Sequence, residues 1–159
     1  MKIKKGDFFP VSSFFKLGEK GPQSVKSTEL FNKKKILLVS VPGAFTPTCS
    51  EQHFPGYISH KQDFKDKGID EIYFISVNDP FVMHEWAKSY NETEIICISD
   101  SYGDLMNEID AIIDLTSIGL GKRLSRFAML INDGLIESIF DEKGGALDIS
   151  KAESVLKSI

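Results

Sequence analysis

Cysteine is scarce in this chain: Cys49 and Cys97 are the only two among 159 residues. Two thiols cannot build the multi-bridge framework of a small secreted domain, and a zinc site would lack ligands. Long apolar runs are missing as well, and nothing approaches the roughly 20 residues that span a bilayer. Lys2, Lys4 and Lys5 near the start are not followed by a signal-peptide core, because Pro10, Ser12 and Ser13 interrupt residues 8–15. There is no basic excess, with 19 Lys and Arg against 23 Asp and Glu and a net charge of −4. No nucleic-acid partner is therefore expected, and the one basic run, Lys33-Lys34-Lys35, reads as a solvated loop. Linkers, repeats and low-complexity tracts are absent too. What remains is a single domain over residues 1–159, expected in the cytoplasm, with no membrane segment, metal or cofactor.

The residues present are those of an ordinary globular protein, 42% apolar and 26% charged. Short β-branched runs predict strands over residues 36–41, 72–77 and 95–99. A hairpin is expected over residues 126–140, turning at Asn132-Asp133-Gly134. Helices are expected over residues 50–67, 80–90, 102–109 and 149–159. Asp79 and Pro80 fit a helix start as cap and first-turn residue. His53, Tyr57, His60 and Phe64 recur at about helical spacing. Residues 1–35, rich in turn formers, are expected to lie over the main sheet. Alternating strands and helices imply an α/β protein with a partly parallel central sheet, to which the late hairpin adds antiparallel strands.

The most informative stretch is Pro42-Gly43-Ala44-Phe45-Thr46-Pro47-Thr48-Cys49, directly after the first apolar strand. Two prolines and a glycine end the strand, and Ser50, Glu51 and Gln52 can open a helix. A thiol at the first turn of that helix meets unpaired N–H groups and the positive end of the helix dipole. Those conditions favour the thiolate, the nucleophilic form of cysteine.

Pro42, Thr46 and Cys49 match the P-x-x-x-T-x-x-C signature of peroxiredoxins. The run continuing through Cys49-Ser50-Glu51-Gln52-His53-Phe54-Pro55-Gly56 resembles the type II, or atypical, branch of that family. So do the segments Ile75-Ser76-Val77-Asn78-Asp79-Pro80-Phe81-Val82 and Lys122-Arg123-Leu124-Ser125-Arg126-Phe127-Ala128-Met129. The resemblance implies a thioredoxin-like fold, a central mixed sheet flanked by helices, which the element order fits. It also implies a thiol peroxidase acting on hydrogen peroxide and alkyl hydroperoxides, in antioxidant defence. Cys49 would be the attacking thiol, and Arg126, distant in sequence, would stabilise the thiolate and the charge developing on the peroxide. Thr46 would place its hydroxyl beside the sulfur, Pro42 would shield the pocket, and the Cys49 N–H would help hold the substrate. His53, on the same helical face as Cys49, is read as structural rather than as a base, since the family mechanism asks nothing of it.

Attack leaves a sulfenic acid that a thiol must reduce. Cys97 lies in an apolar run suited to a central strand and reads as a buried structural residue. Plant type II members carry a second cysteine where this chain has Phe74, and the animal atypical form carries one where this chain has Ile149. The resemblance therefore implies a one-cysteine mechanism with an external reductant, glutathione with glutaredoxin favoured and thioredoxin the other candidate. A homodimer is expected, with Phe45 and the segment Asp79-Pro80-Phe81-Val82 as contact sites. A thiol–disulfide oxidoreductase would need a C-x-x-C, but Gln52 stands at its second position. A non-catalytic redox-sensing or holdase-like role is the alternative that would need only an oxidisable Cys49.

Overall fold

A computed structural model describes all residues, Met1–Ile159. Its centre is a seven-stranded sheet. The strands are β1 (Ser13–Gly18), β2 (Gly21–Lys26), β3 (Lys35–Ser40), β4 (Glu71–Ser76), β5 (Ile96–Ser99), β8 (Phe127–Asn132) and β9 (Leu135–Asp141). A separate two-stranded ribbon pairs β6 (Ile112–Leu115) with β7 (Gly121–Leu124). The order across the large sheet is β2-β1-β5-β4-β3-β8-β9. β3, β4 and β5 run parallel, and the remaining neighbours pair antiparallel. The helices are α1 (Ser27–Leu30), α2 (Phe54–Asp66), α3 (Pro80–Lys88), α4 (Asp104–Glu108) and α5 (Ala152–Ser158). None is long and apolar enough to cross a membrane.

β3 and β4 are apolar through their centres, residues 36–39 and 72–75, because they are covered on both faces. Leu37, Val39 and Val41 join Phe74 and Trp86 in one core layer, while Ile36, Leu38, Tyr73 and Ile75 join Phe14 and Phe127 in the other. Cys49 belongs to the first layer, between sheet and helices. The expected helix start at Asp79 holds, with Asp79 Oδ1 accepting from the Val82 N–H at 3.0 Å. The expected hairpin also holds. Asp133 and Gly134 turn it with φ of 48° and 83°, the left-handed values that a two-residue type I′ turn requires.

Three local expectations need correction. Residues 13–26 do not lie over the sheet but extend it as the hairpin β1–β2. The β6–β7 ribbon falls outside every expected strand. The helix expected from residue 50 begins earlier, and its segment Cys49–His53 is a π-helical turn before α2 proper.

Candidate active site

Strand register brings the distant site residues together. β3 ends at Ser40 opposite Phe127 of β8. Val41 and Pro42 therefore leave the sheet beside Ser125 and Arg126, and Ser40 Oγ donates to the Ser125 carbonyl at 2.8 Å. The loop then turns sharply, with Phe45 held at φ 62°. Gly43 keeps this turn close-packed, since a Cβ there would sit 3.1 Å from both Arg123 Nη1 and Thr46 Cγ2 and would push one of these side chains aside. Asn78 Oδ1 accepts from the Ala44 N–H at 2.9 Å, and Arg123 Nη1 donates to the Pro42 carbonyl at 3.3 Å. Thr46 Oγ1 donates to the Gly43 carbonyl at 2.6 Å, and the Ser50 N–H closes the first turn on the Thr46 carbonyl at 2.9 Å. Phe54 N–H reaches back five residues to the Cys49 carbonyl, which defines the π turn.

Cys49 is 1% exposed and Arg126 2%. Three N–H groups of Arg126 point to three partners. Nη2 donates to Cys49 Sγ at 3.3 Å, Nη1 to His53 Nδ1 at 2.8 Å, and Nε to the Gly145 carbonyl at 3.1 Å. Three bonds in three directions fix the guanidinium plane. Arginine only donates, so His53 Nδ1 accepts and its proton sits on Nε2, which donates to the Ser150 carbonyl at 3.1 Å. Burial, reinforced by the Arg126 charge and opposed by the Ser150 bond, lowers the His53 pKa to about 3. His53 is thus a neutral acceptor that holds Arg126, with neither ring nitrogen free to act as a base. Tyr57 donates to the same Ser150 carbonyl at 2.8 Å, and Glu142 Oε1 anchors Ser150 through its N–H and Oγ at 2.8 and 2.9 Å.

A buried thiol thus faces a guanidinium donor at the end of the central sheet, and comparison with known proteins shows the family. The Redoxin family matches residues 4–156. Peroxiredoxin-2C of Oryza sativa subsp. japonica is 44% identical over 143 residues, covering 89% of this chain and 88% of its own length. This chain is a peroxiredoxin. The crystal structure of reduced Prx3 from Vibrio vulnificus in complex with H2O2 superposes with a TM-score of 0.93 at 36% identity, covering 98% of each chain. The antioxidant protein of Plasmodium falciparum, described as a 1-Cys peroxiredoxin, superposes with a TM-score of 0.90 at 32% identity, covering 99% of this chain and 100% of that one. The fold is the thioredoxin-like peroxiredoxin fold, and the activity is that of a thiol peroxidase that consumes peroxide at the expense of a thiol reductant.

In this peroxiredoxin Arg126 meets Cys49 directly, while Pro42 is buried on the loop that leads to Cys49 and Thr46 is half-buried one turn before it. Of the positioning partners, Gly145, Ser150 and Glu142 escaped the sequence reading, which took His53 as structural. Only His53 left a signal there, its spacing of four from Cys49. Phe74 is wholly buried among His53, Phe54, Tyr57 and Trp86, with ring centroids 4.7–6.0 Å away. Ile149 is partly exposed. Cys97 pairs with Phe74 across β4 and β5 and is half-buried rather than buried as expected. Desolvation, with Glu92 second, pushes its thiol pKa up, away from thiolate chemistry.

Proposed function

We propose that this peroxiredoxin reduces hydrogen peroxide and small alkyl hydroperoxides by a one-cysteine mechanism at Cys49. The observation that carries the reading is the 3.3 Å bond from Arg126 Nη2 to Cys49 Sγ inside the protein. The fixed positive charge there faces the sulfur and any peroxide oxygen that approaches it. The thiolate attacks one peroxide oxygen and the O–O bond breaks. Hydroxide or alkoxide leaves, and Cys49 becomes a sulfenic acid. Arg126 stabilises the charge that builds on the departing oxygen. Thr46, its proton committed to the Gly43 carbonyl, presents oxygen lone pairs toward the peroxide O–H. The Cys49 N–H, with no protein acceptor, offers the peroxide a donor, and Pro42 limits water.

An external thiol then condenses with the sulfenic acid, releasing water and leaving a mixed disulfide that a second thiol reduces. Phe74 and Ile149 at the two alternative cysteine positions, and the raised thiol of Cys97, support this route. The description of the Plasmodium relative as a 1-Cys peroxiredoxin supports it too. Glutathione with glutaredoxin is the favoured donor and thioredoxin the second. Cytoplasmic placement fits two free cysteines. One domain fits two core layers sharing one sheet. A homodimer fits Phe45 and Phe81, which are 57% and 56% exposed beside the site.

The test is peroxide consumption with each reductant system. Cys49→Ser abolishes turnover, and Cys97→Ser retains it with an external thiol. Loss of turnover in Cys97→Ser, together with loss of an intramolecular disulfide seen by mass spectrometry in the oxidised parent, overturns the one-cysteine route.

A further inference from the structure

The main sheet is split on the side away from Cys49's loop. β1 and β5 share one pair, Phe15↔Ser99, although they run six and four residues. Continuing that antiparallel register would set Leu17 against Cys97, and no such pair forms. On β5, the Asp100 N–H donates to the Ser76 carbonyl of β4, and Ile96–Ser99 pair with β4 in parallel. Backbone direction alternates along a strand, so Ile96 and Ile98 bond β4 while the N–H and C=O of Cys97 face β1. Two strand edges therefore face each other without a ladder between them.

A groove of about 1030 Å³ opens in this gap, with Leu17 and Gly18 on one wall, Ile96 and Cys97 on the other, and Ala87 and Lys88 of α3 above. Lys16 and Lys20 from the β1–β2 hairpin line it, and neither is in an ion pair. Lys88 adds a third cation, only 3.6 Å from Glu85. Two carboxylates also line the groove. Glu19 is exposed, while Glu92 is committed to Lys61 at 3.1 Å and to the Glu94 and Ile95 N–H groups at 2.6 and 3.0 Å. The groove is thus locally cationic on a chain of net charge −4.

We propose that this groove docks an extended acidic peptide segment of a partner protein, added as a strand between β1 and β5. Main-chain groups of the peptide complete the open edges at Leu17 and Cys97, and its carboxylates meet Lys16, Lys20 and Lys88. A small organic dianion would satisfy the lysines but leave both strand edges unpaired, so the backbone geometry favours the peptide. Cys97 serves as floor, not as reactant, since its raised thiol opposes exchange chemistry.

The probe is a fluorescein-labelled, acetylated octapeptide alternating valine and glutamate, titrated into the intact protein at physiological salt and followed by anisotropy. Saturable binding is expected below about 1 mM. Lys16→Glu/Lys20→Glu should weaken it about tenfold or more, because two attractions become repulsions. Peroxide turnover of that double variant should match the parent. The same peptide N-methylated at alternate amides should not bind. Three results overturn the proposal: no saturation, equal binding by the N-methylated peptide, or full displacement by glutarate at concentrations comparable to the unlabelled peptide. The last would mark a small-anion site instead.

Discussion

His53 should make this peroxiredoxin lose stability in mild acid by an amount its geometry fixes. The folded protein holds the His53 pKa at about 3, first by burial and then by the Arg126 guanidinium, against 6.5 for an unperturbed histidine. Between those values the unfolded chain takes up a proton that the folded chain refuses. Stability contributed by neutral His53 is fully present above 6.5 and falls by about 1.4 kcal/mol for each pH unit below it, down to the folded value. From about pH 7 to about pH 4.5 the loss is about 2.5 kcal/mol. That is a large share of the roughly 5–15 kcal/mol that holds a domain folded. The assay is urea unfolding followed by fluorescence of Trp86, the one tryptophan, which is fully buried and stacked on Phe54. His53→Gln is the partner protein, because glutamine accepts from Arg126 and donates to Ser150 without titrating. Carboxylates titrate alike in both, and any packing penalty of glutamine is constant with pH. The difference between the two curves therefore isolates residue 53. A difference that stays flat within about 0.5 kcal/mol across that range refutes the buried, arginine-facing imidazole.

Arg126→Lys keeps the charge but cannot bond Cys49, His53 and Gly145 at once, so kcat/KM for hydrogen peroxide should fall by about 10²–10³ in a consumption assay. A decrease under about threefold would show that point charge alone suffices. Phe74→Ala removes the ring that packs against His53, Phe54, Tyr57 and Trp86 and should cost about 3–5 kcal/mol in urea unfolding. A loss below about 1 kcal/mol would mean that the layer collapses onto the gap.

The strands of the central sheet were legible because burial on both faces leaves continuous apolar runs, as in residues 36–41. The Asn132-Asp133-Gly134 turn was legible because few residues tolerate left-handed backbone. β2, by contrast, reads Gly21-Pro22-Gln23-Ser24-Val25-Lys26 and is mostly exposed at the sheet edge, so no apolar period marks it. β6 and β7 form a small ribbon outside the main sheet, which likewise dilutes the pattern. The π turn at Cys49–His53 has no compositional sign at all. Within the site, Pro42, Thr46 and Cys49 were visible as one local run, and Arg126 only through family likeness. No periodicity relates residue 126 to residue 49; the antiparallel register of β3 and β8 does.

The same register explains why the buried arginine can do more than pack. A desolvated guanidinium ordinarily requires a carboxylate, and an isolated buried charge is strongly disfavoured. Arg126 forms no ion pair: its acceptors are the Gly145 carbonyl, the neutral ring of His53 and the Cys49 sulfur. Glu142, which follows β9, turns its Oε1 to Ser150 and the Asp148 N–H and makes no ion pair with Arg126. Carbonyl and imidazole dipoles satisfy the N–H groups but leave the unit charge uncompensated. Of the three acceptors, only the sulfur can acquire a full negative charge, by losing its proton. The fold thus gives Arg126 no carboxylate partner and leaves one of its N–H donors on the Cys49 sulfur, where a charge developing during reaction would meet it.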